Sequence, residues 1–114
     1  ALARFCLANR YALNIEIKPT PGTEAASGEA VARLAAQLWA DAEFPPLLTS
    51  FKPDALAAAQ AAAPELPRGL LVDTLWDGWL DKALALYCAA VVANYALWDA
   101  ATVARVHSSG LRCL

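Results

Sequence analysis

Glu16 and Lys18 are the pair most able to do chemistry in this chain. They lie two residues apart in Leu13-Asn14-Ile15-Glu16-Ile17-Lys18-Pro19, which alternates apolar and polar residues. Such alternation is that of a strand with two unlike faces. Leu13, Ile15 and Ile17 point one way. Asn14, Glu16 and Lys18 point the other, so an acid and a base sit side by side next to an amide. Pro19 has no backbone donor and ends the strand. Facing water, this pair is a simple ion pair on a half-buried strand. Facing a site, it offers a hard-oxygen metal ligand beside a positive charge suited to phosphate.

The remaining chemistry-bearing residues are scattered. His107 is the sole histidine and falls in the last turn of a predicted helix, where a surface or capping role is expected. Cys6, Cys88 and Cys113 are an odd number without a C-x-x-C pair, which argues for reduced thiols rather than a disulfide framework or a zinc site. Ser50 and Asn94 each end a strand and are weak candidates for substrate contact. A serine so placed more often serves the local backbone or the next helix. Asp73 and Asp77 flank a loop on the same side without a ligand pattern. Trp39, Trp76, Trp79 and Trp98 read as packing, with Trp76 and Trp79 alternatively on a rim loop.

The elements that must position these residues alternate in period. Leu2, Phe5 and Cys6 have helical spacing, and a strand 12–18 follows. Pro19-Thr20-Pro21-Gly22 is a loop by composition. Glu29 to Trp39 is a predicted helix with Val31, Leu34, Ala35, Leu38 and Trp39 as its buried stripe. Leu47 to Phe51 is a short strand. Pro53 and Asp54 open a helix that runs through alanines to Pro64. Arg68 to Val72 is a strand, and Trp79 to Leu86 a short helix. Cys88 to Ala93 is an apolar strand with both faces expected to be buried. Asp99 caps a helix from Ala100 to Ser109, Gly110 ends it, and Leu111 to Leu114 begin a fifth strand.

Strand and helix alternating with short connections make an α/β fold with parallel neighbours. A doubly wound sheet and part of an eight-fold β/α barrel both fit. No glycine-rich phosphate loop follows any strand, so nothing favours a dinucleotide fold. The 114 residues are 59% hydrophobic and 18% charged, with a net charge of −2. That is a rich interior for a small domain, and it anticipates partners beyond those the chain supplies. The charge balance gives no footprint for nucleic acid. The longest apolar run, Ala83 to Ala93, is too short for a membrane span, which takes ~20 residues. No signal peptide is evident, and a soluble, cytoplasmic protein is expected.

Several segments together carry a family likeness: Leu13-Asn14-Ile15-Glu16-Ile17-Lys18-Pro19-Thr20, Pro46-Leu47-Leu48-Thr49-Ser50-Phe51, Ala63-Pro64-Glu65-Leu66-Pro67-Arg68-Gly69-Leu70-Leu71, Asn94, and Ser109-Gly110-Leu111-Arg112. In these the chain resembles the glycerophosphodiester phosphodiesterases, in particular their bacterial cytoplasmic branch. The resemblance implies a (β/α)8 TIM barrel, with residues 1–114 as one partial domain of its central four βα units. It implies metal-dependent hydrolysis of a glycerophosphodiester to an alcohol and glycerol 3-phosphate, with Mg2+ or Ca2+ as cofactor. Glu16 and Lys18 would be catalytic residues, Glu16 as a metal carboxylate and Lys18 as the lysine that binds the substrate phosphate. Asn14, one step deeper, would pack the lumen or support a ligand.

The departures from the family pattern are equally specific. The family's H-R-G segment, its E-x-D metal pair and its H-D histidine are missing, and so is the later Y-T-V-N strand. Thr49 replaces a frequent serine, and Val92 stands where some relatives carry histidine. The resemblance therefore implies an internal fragment, inactive alone, because each missing acid or base is worth ~10²–10⁴-fold. The missing barrel half or an oligomer partner would complete it. The alternative is a non-catalytic half-barrel that oligomerises or binds a partner, because open sheet edges are a liability.

Overall fold

β-Branched and leucine-rich runs between proline and glycine punctuation place five short strands, and alanine-rich segments between them form the helices. A computed structural model of the chain describes residues 13–41 and 44–114. The expected helix carrying Leu2, Phe5 and Cys6, and position 12 of the first strand, lie outside the described residues.

In order, the elements are β1 (Asn14–Glu16), α1 (Glu24–Leu38), β2 (Leu47–Ser50), α2 (Pro53–Ala62), β3 (Arg68–Val72), α3 (Trp79–Ala85), β4 (Ala90–Ala93), α4 (Ala100–Ser108) and β5 (Arg112–Cys113). A 3-10 turn at Tyr95–Leu97 precedes α4. All strand pairs are parallel, and the sheet order is β1-β2-β3-β4-β5. The chain never reverses its direction of travel across the sheet, as a doubly wound sheet must. Right-handed crossovers then place every helix on one face.

The core confirms that placement. Ile17 and Leu48 pack with Ala32 and Ala35 of α1 and with Ala55 and Ala59 of α2. Leu70, Val72 and Val91 pack with Leu56 of α2, Leu80 and Ala83 of α3, and Val106 of α4. Burying each large aliphatic side chain contributes about 1.5–3 kcal/mol. The register puts Asn14, Glu16, Thr49, Gly69 and Val92 on the opposite, open face. Gly69 lets its neighbours close over β3. A Cβ there would lie 3.2 Å from Thr49 Cγ2 and 3.4 Å from Val92 Cγ2.

The α1 expectation needs correcting. The helix starts at Glu24, five residues earlier than Glu29, and its buried stripe is Gly28, Ala32 and Ala35, continued by Trp39. Leu34 and Leu38 are 56% and 46% exposed. The cause is close helix–helix contact: a Cβ at Gly28 would run into the carbonyl of Ala55. At that separation only small residues fit between α1 and α2, so the leucines are turned outward. β4 also differs. It pairs from Ala90 rather than Cys88, and Val92, on the open face, and Ala93, at the edge of the core, are only half-buried.

Asp99 behaves as expected. Its carboxylate accepts the Thr102 N–H at 2.7 Å, and this bond holds its pKa below the ordinary value. Gly110 takes φ +84° to end α4.

Candidate functional site

The site begins where β1 runs out. Ile17 N–H still donates to Thr49 O at 2.7 Å, so the chain stays on the edge of β2 for one residue beyond Glu16. Alternation then brings Glu16 and Lys18 to the same side, and Lys18 Nζ lies 3.8 Å from Glu16 Oε2. The lysine side chain is 80% exposed and the glutamate 34%. A pair this exposed adds little stability, ~0–1 kcal/mol. What the geometry provides is a carboxylate and an ammonium held next to each other at the C-terminal end of a parallel strand.

Together with Ile17, Pro19, Phe51 and Lys52 they line a cleft of about 300 Å³. Phe51 follows Thr49 on the open face by strand alternation and is 45% exposed. Neither Phe51 nor Lys52 stood out in the sequence as a site residue. The available signal was that alternation continued past Ser50 to an aromatic residue at a strand end.

Ser50 does not line the cleft. It is fully buried, donates its hydroxyl to Ile17 O at 2.8 Å and accepts the Lys52 N–H at 3.0 Å. Its chemistry is spent on backbone, as a strand-end serine's often is. Asn94 is exposed at the end of β4, where its Oδ1 accepts the Ala96 N–H at 2.9 Å and caps the 3-10 turn. Asn14 is also engaged: its Oδ1 accepts the Thr49 hydroxyl at 2.8 Å, tying β1 to β2 across the open face.

His107 lies in the last turn of α4, just before β5 begins, and so at the opposite edge of the sheet from Glu16. Asp73 and Asp77 are exposed on the β3–α3 loop. Trp39 and Trp79 are buried. Trp79 packs edge-to-face with Trp98 at 6.3 Å, and Arg105 lies 5.7 Å from its ring centroid. Cys88 is free and buried, and burial pushes its thiol up to about 11; Cys113 is free and half-buried. Among the described residues no three histidine, cysteine or acidic side chains converge to hold a metal ion. Glu16 is thus a single carboxylate, and its one or two oxygens fall short of the six or more that a hard cation takes.

The far end of the sheet carries a charge that sequence reading left unremarked. Arg68 opens β3 and is only 4% exposed. Its guanidinium donates to the carbonyls of Leu66 (2.8 Å), Tyr87 (3.2 Å), Pro64 (3.4 Å) and Leu86 (3.4 Å). Burial lowers its pKa, and the nearby Cys88 opposes that shift. An apolar hollow of about 410 Å³ lies at the same end on the open face, lined in part by Leu13, Phe44, Leu47 and Leu114.

Neither a family model nor a curated protein matches this sequence. Solved structures do. An Oleispira antarctica phosphodiesterase in complex with the product sn-glycerol-3-phosphate aligns with TM-score 0.74 and 27% identity, over 90% of this chain and 41% of that one. The chain resembles the glycerophosphodiester phosphodiesterases. A Galdieria sulphuraria protein provisionally assigned to them aligns with TM-score 0.77 and 17% identity, over 98% of this chain and 48% of that one. A glycerophosphodiester phosphodiesterase from Parabacteroides distasonis gives 0.63 and 15%, over 90% and 42%. At these lower identities the likeness is one of fold. The chain spans less than half the length of each of the three. Among the described residues, no helix is long and apolar enough to cross a membrane.

Proposed function

We propose that this chain is one wall of a glycerophosphodiester phosphodiesterase, contributing part of a β/α barrel whose lumen is the open face described above. The reaction would be hydrolysis of a glycerophosphodiester to an alcohol and sn-glycerol 3-phosphate. The observation that carries this reading is the Glu16–Lys18 pair at the C-terminal end of β1, in a sequentially ordered parallel sheet. That end of a barrel is where strands present chemistry.

In this reading Glu16 gives one oxygen ligand to a divalent cation, Mg2+ or Ca2+, and the other ligands come from outside the described residues. When bound, the cation neutralises charge on the phosphodiester. Lys18 stays within reach of a non-bridging phosphoryl oxygen and stabilises the negative charge that grows there. Asn14 and Ser50 serve as positioning residues: each bonds β1 to β2 and so fixes where Glu16 projects. The reading leaves the general acid and base to residues outside 13–114. The apolar hollow lined by Leu13, Phe44 and Leu47 would be filled by the remaining strands of the barrel. The same hollow is the one feature that favours a partner-bound, non-catalytic half-barrel instead.

Glu16→Ala in the complete enzyme tests the assignment. Hydrolysis of a glycerophosphodiester should fall by ~10²-fold or more, and the Mg2+ concentration giving half-maximal rate should rise. Unchanged turnover and unchanged Mg2+ dependence would refute the metal role.

A further inference from the structure

The rim cleft holds one more charge than the reaction described above requires. Glu16, Lys18 and Lys52 line it together, two cations against one carboxylate. Lys18 has its counter-ion in Glu16. The ion pairs formed among the described residues are Glu16–Lys18 and Glu29–Arg33, and Lys52 belongs to neither. Glu24 is close enough to attract Lys52 and screens it in part, but Glu24 does not line the cleft.

Lys52 also occupies a position where a lysine is locally unfavourable. It immediately precedes Pro53 at the start of α2, its side chain makes no capping bond, and helix starts favour Ser, Thr, Asp or Asn. Functional positions are where such local preferences are broken. Its place is fixed, because the Lys52 N–H is bound by the buried Ser50 hydroxyl.

Resting on the reading above, we propose that Lys52 is a specificity-determining residue. It makes the cleft prefer glycerophosphodiesters with an uncharged leaving alcohol over those whose alcohol carries an ammonium. Lys18 and Lys52 line the same cleft of about 300 Å³. With the phosphate held at Lys18, an ammonium two carbons away lies close to a second positive charge. Phe51 works weakly in the other direction, since its ring attracts an ammonium. A single half-exposed ring lacks the surrounding faces of an aromatic cage, and the lysine charge outweighs it.

The test compares glycerophosphoglycerol with glycerophosphocholine in the complete enzyme, as the ratio of kcat/KM values at low salt. Lys52→Ala should reduce the preference for glycerophosphoglycerol about three- to tenfold, the size of a unit-charge interaction at a solvated rim. Lys52→Glu should reduce it further, and Lys52→Arg should keep it. The difference should shrink as salt is added. An unchanged ratio in Lys52→Ala and Lys52→Glu, with native circular dichroism, would overturn the proposal. So would an equal loss on both substrates, or a ratio that responds to Phe51→Ala and not to Lys52→Ala. If Lys52→Glu fails to fold, the Ala and Arg variants decide. Failure of the parent enzyme to hydrolyse either substrate is a different result, which removes the phosphodiesterase reading itself and the preference with it.

Discussion

The two ends of the sheet treat positive charge in opposite ways. At the N-terminal end Arg68 is buried and its guanidinium meets four carbonyl oxygens. At the C-terminal end Lys18 and Lys52 stand at the surface of a cleft whose lining holds a single carboxylate, that of Glu16. The residue types suit the tasks. A planar fork of donors fits several fixed carbonyls, whereas an ammonium on a flexible stem can follow a ligand. Arg68 closes the turn before β3 onto the turn before β4. One end therefore spends its cation on holding strands together, and the other keeps its cations available.

The contrast is open to direct attack. Arg68→Ala should be the most damaging change. It leaves four carbonyls short of a donor, those of Leu66 and Leu86 in a buried place, for a loss of about 3 kcal/mol in urea unfolding. Lys18→Ala should do the reverse. Stability should stay within ~0.5 kcal/mol while turnover of the complete enzyme drops by ~10²-fold. Should Arg68→Ala unfold no more easily than Lys18→Ala, the division between the two ends collapses.

A smaller effect should appear in alkali. The Cys88 thiol is raised by burial to about 11, above the ordinary value of 9.0, so the folded state holds its proton more tightly than the unfolded chain does. Its contribution is complete below the ordinary thiol range and is lost as pH rises toward about 11. Unfolding midpoints measured across that range should decline, and Cys88→Ala should flatten the decline. A decline of the same depth in Cys88→Ala would mean that another group is responsible.

Sequence reading did best where a residue type has one dominant use. Pro53 opens α2, Asp99 caps α4, and Arg68 to Val72 is β3 at its observed bounds. The alternation through Glu16 and Lys18 placed the acid and the base on one face, as observed. It did worse where small residues outrank large ones. Leu34 and Leu38 are the natural core candidates by hydropathy, yet Gly28 and the alanines are buried, because the distance between α1 and α2 leaves no room for more. A glycine also lowers helix propensity, which hides the first turns of α1 from a propensity reading. Lys52 was illegible for a related reason. Its importance comes from which strand end lies beside β1, and that depends on sheet order rather than on its own neighbours in the chain.

Ser50 gives the rim a mechanical property of its own. One hydroxyl pins the strand that carries Glu16, through Ile17 O, to the loop that carries Lys52, through its N–H. The two loops are thereby geared together. Neither can swing without pulling on the same oxygen, so the spacing between the backbones that carry the carboxylate and the second lysine is held by a side chain that touches neither of their charged ends.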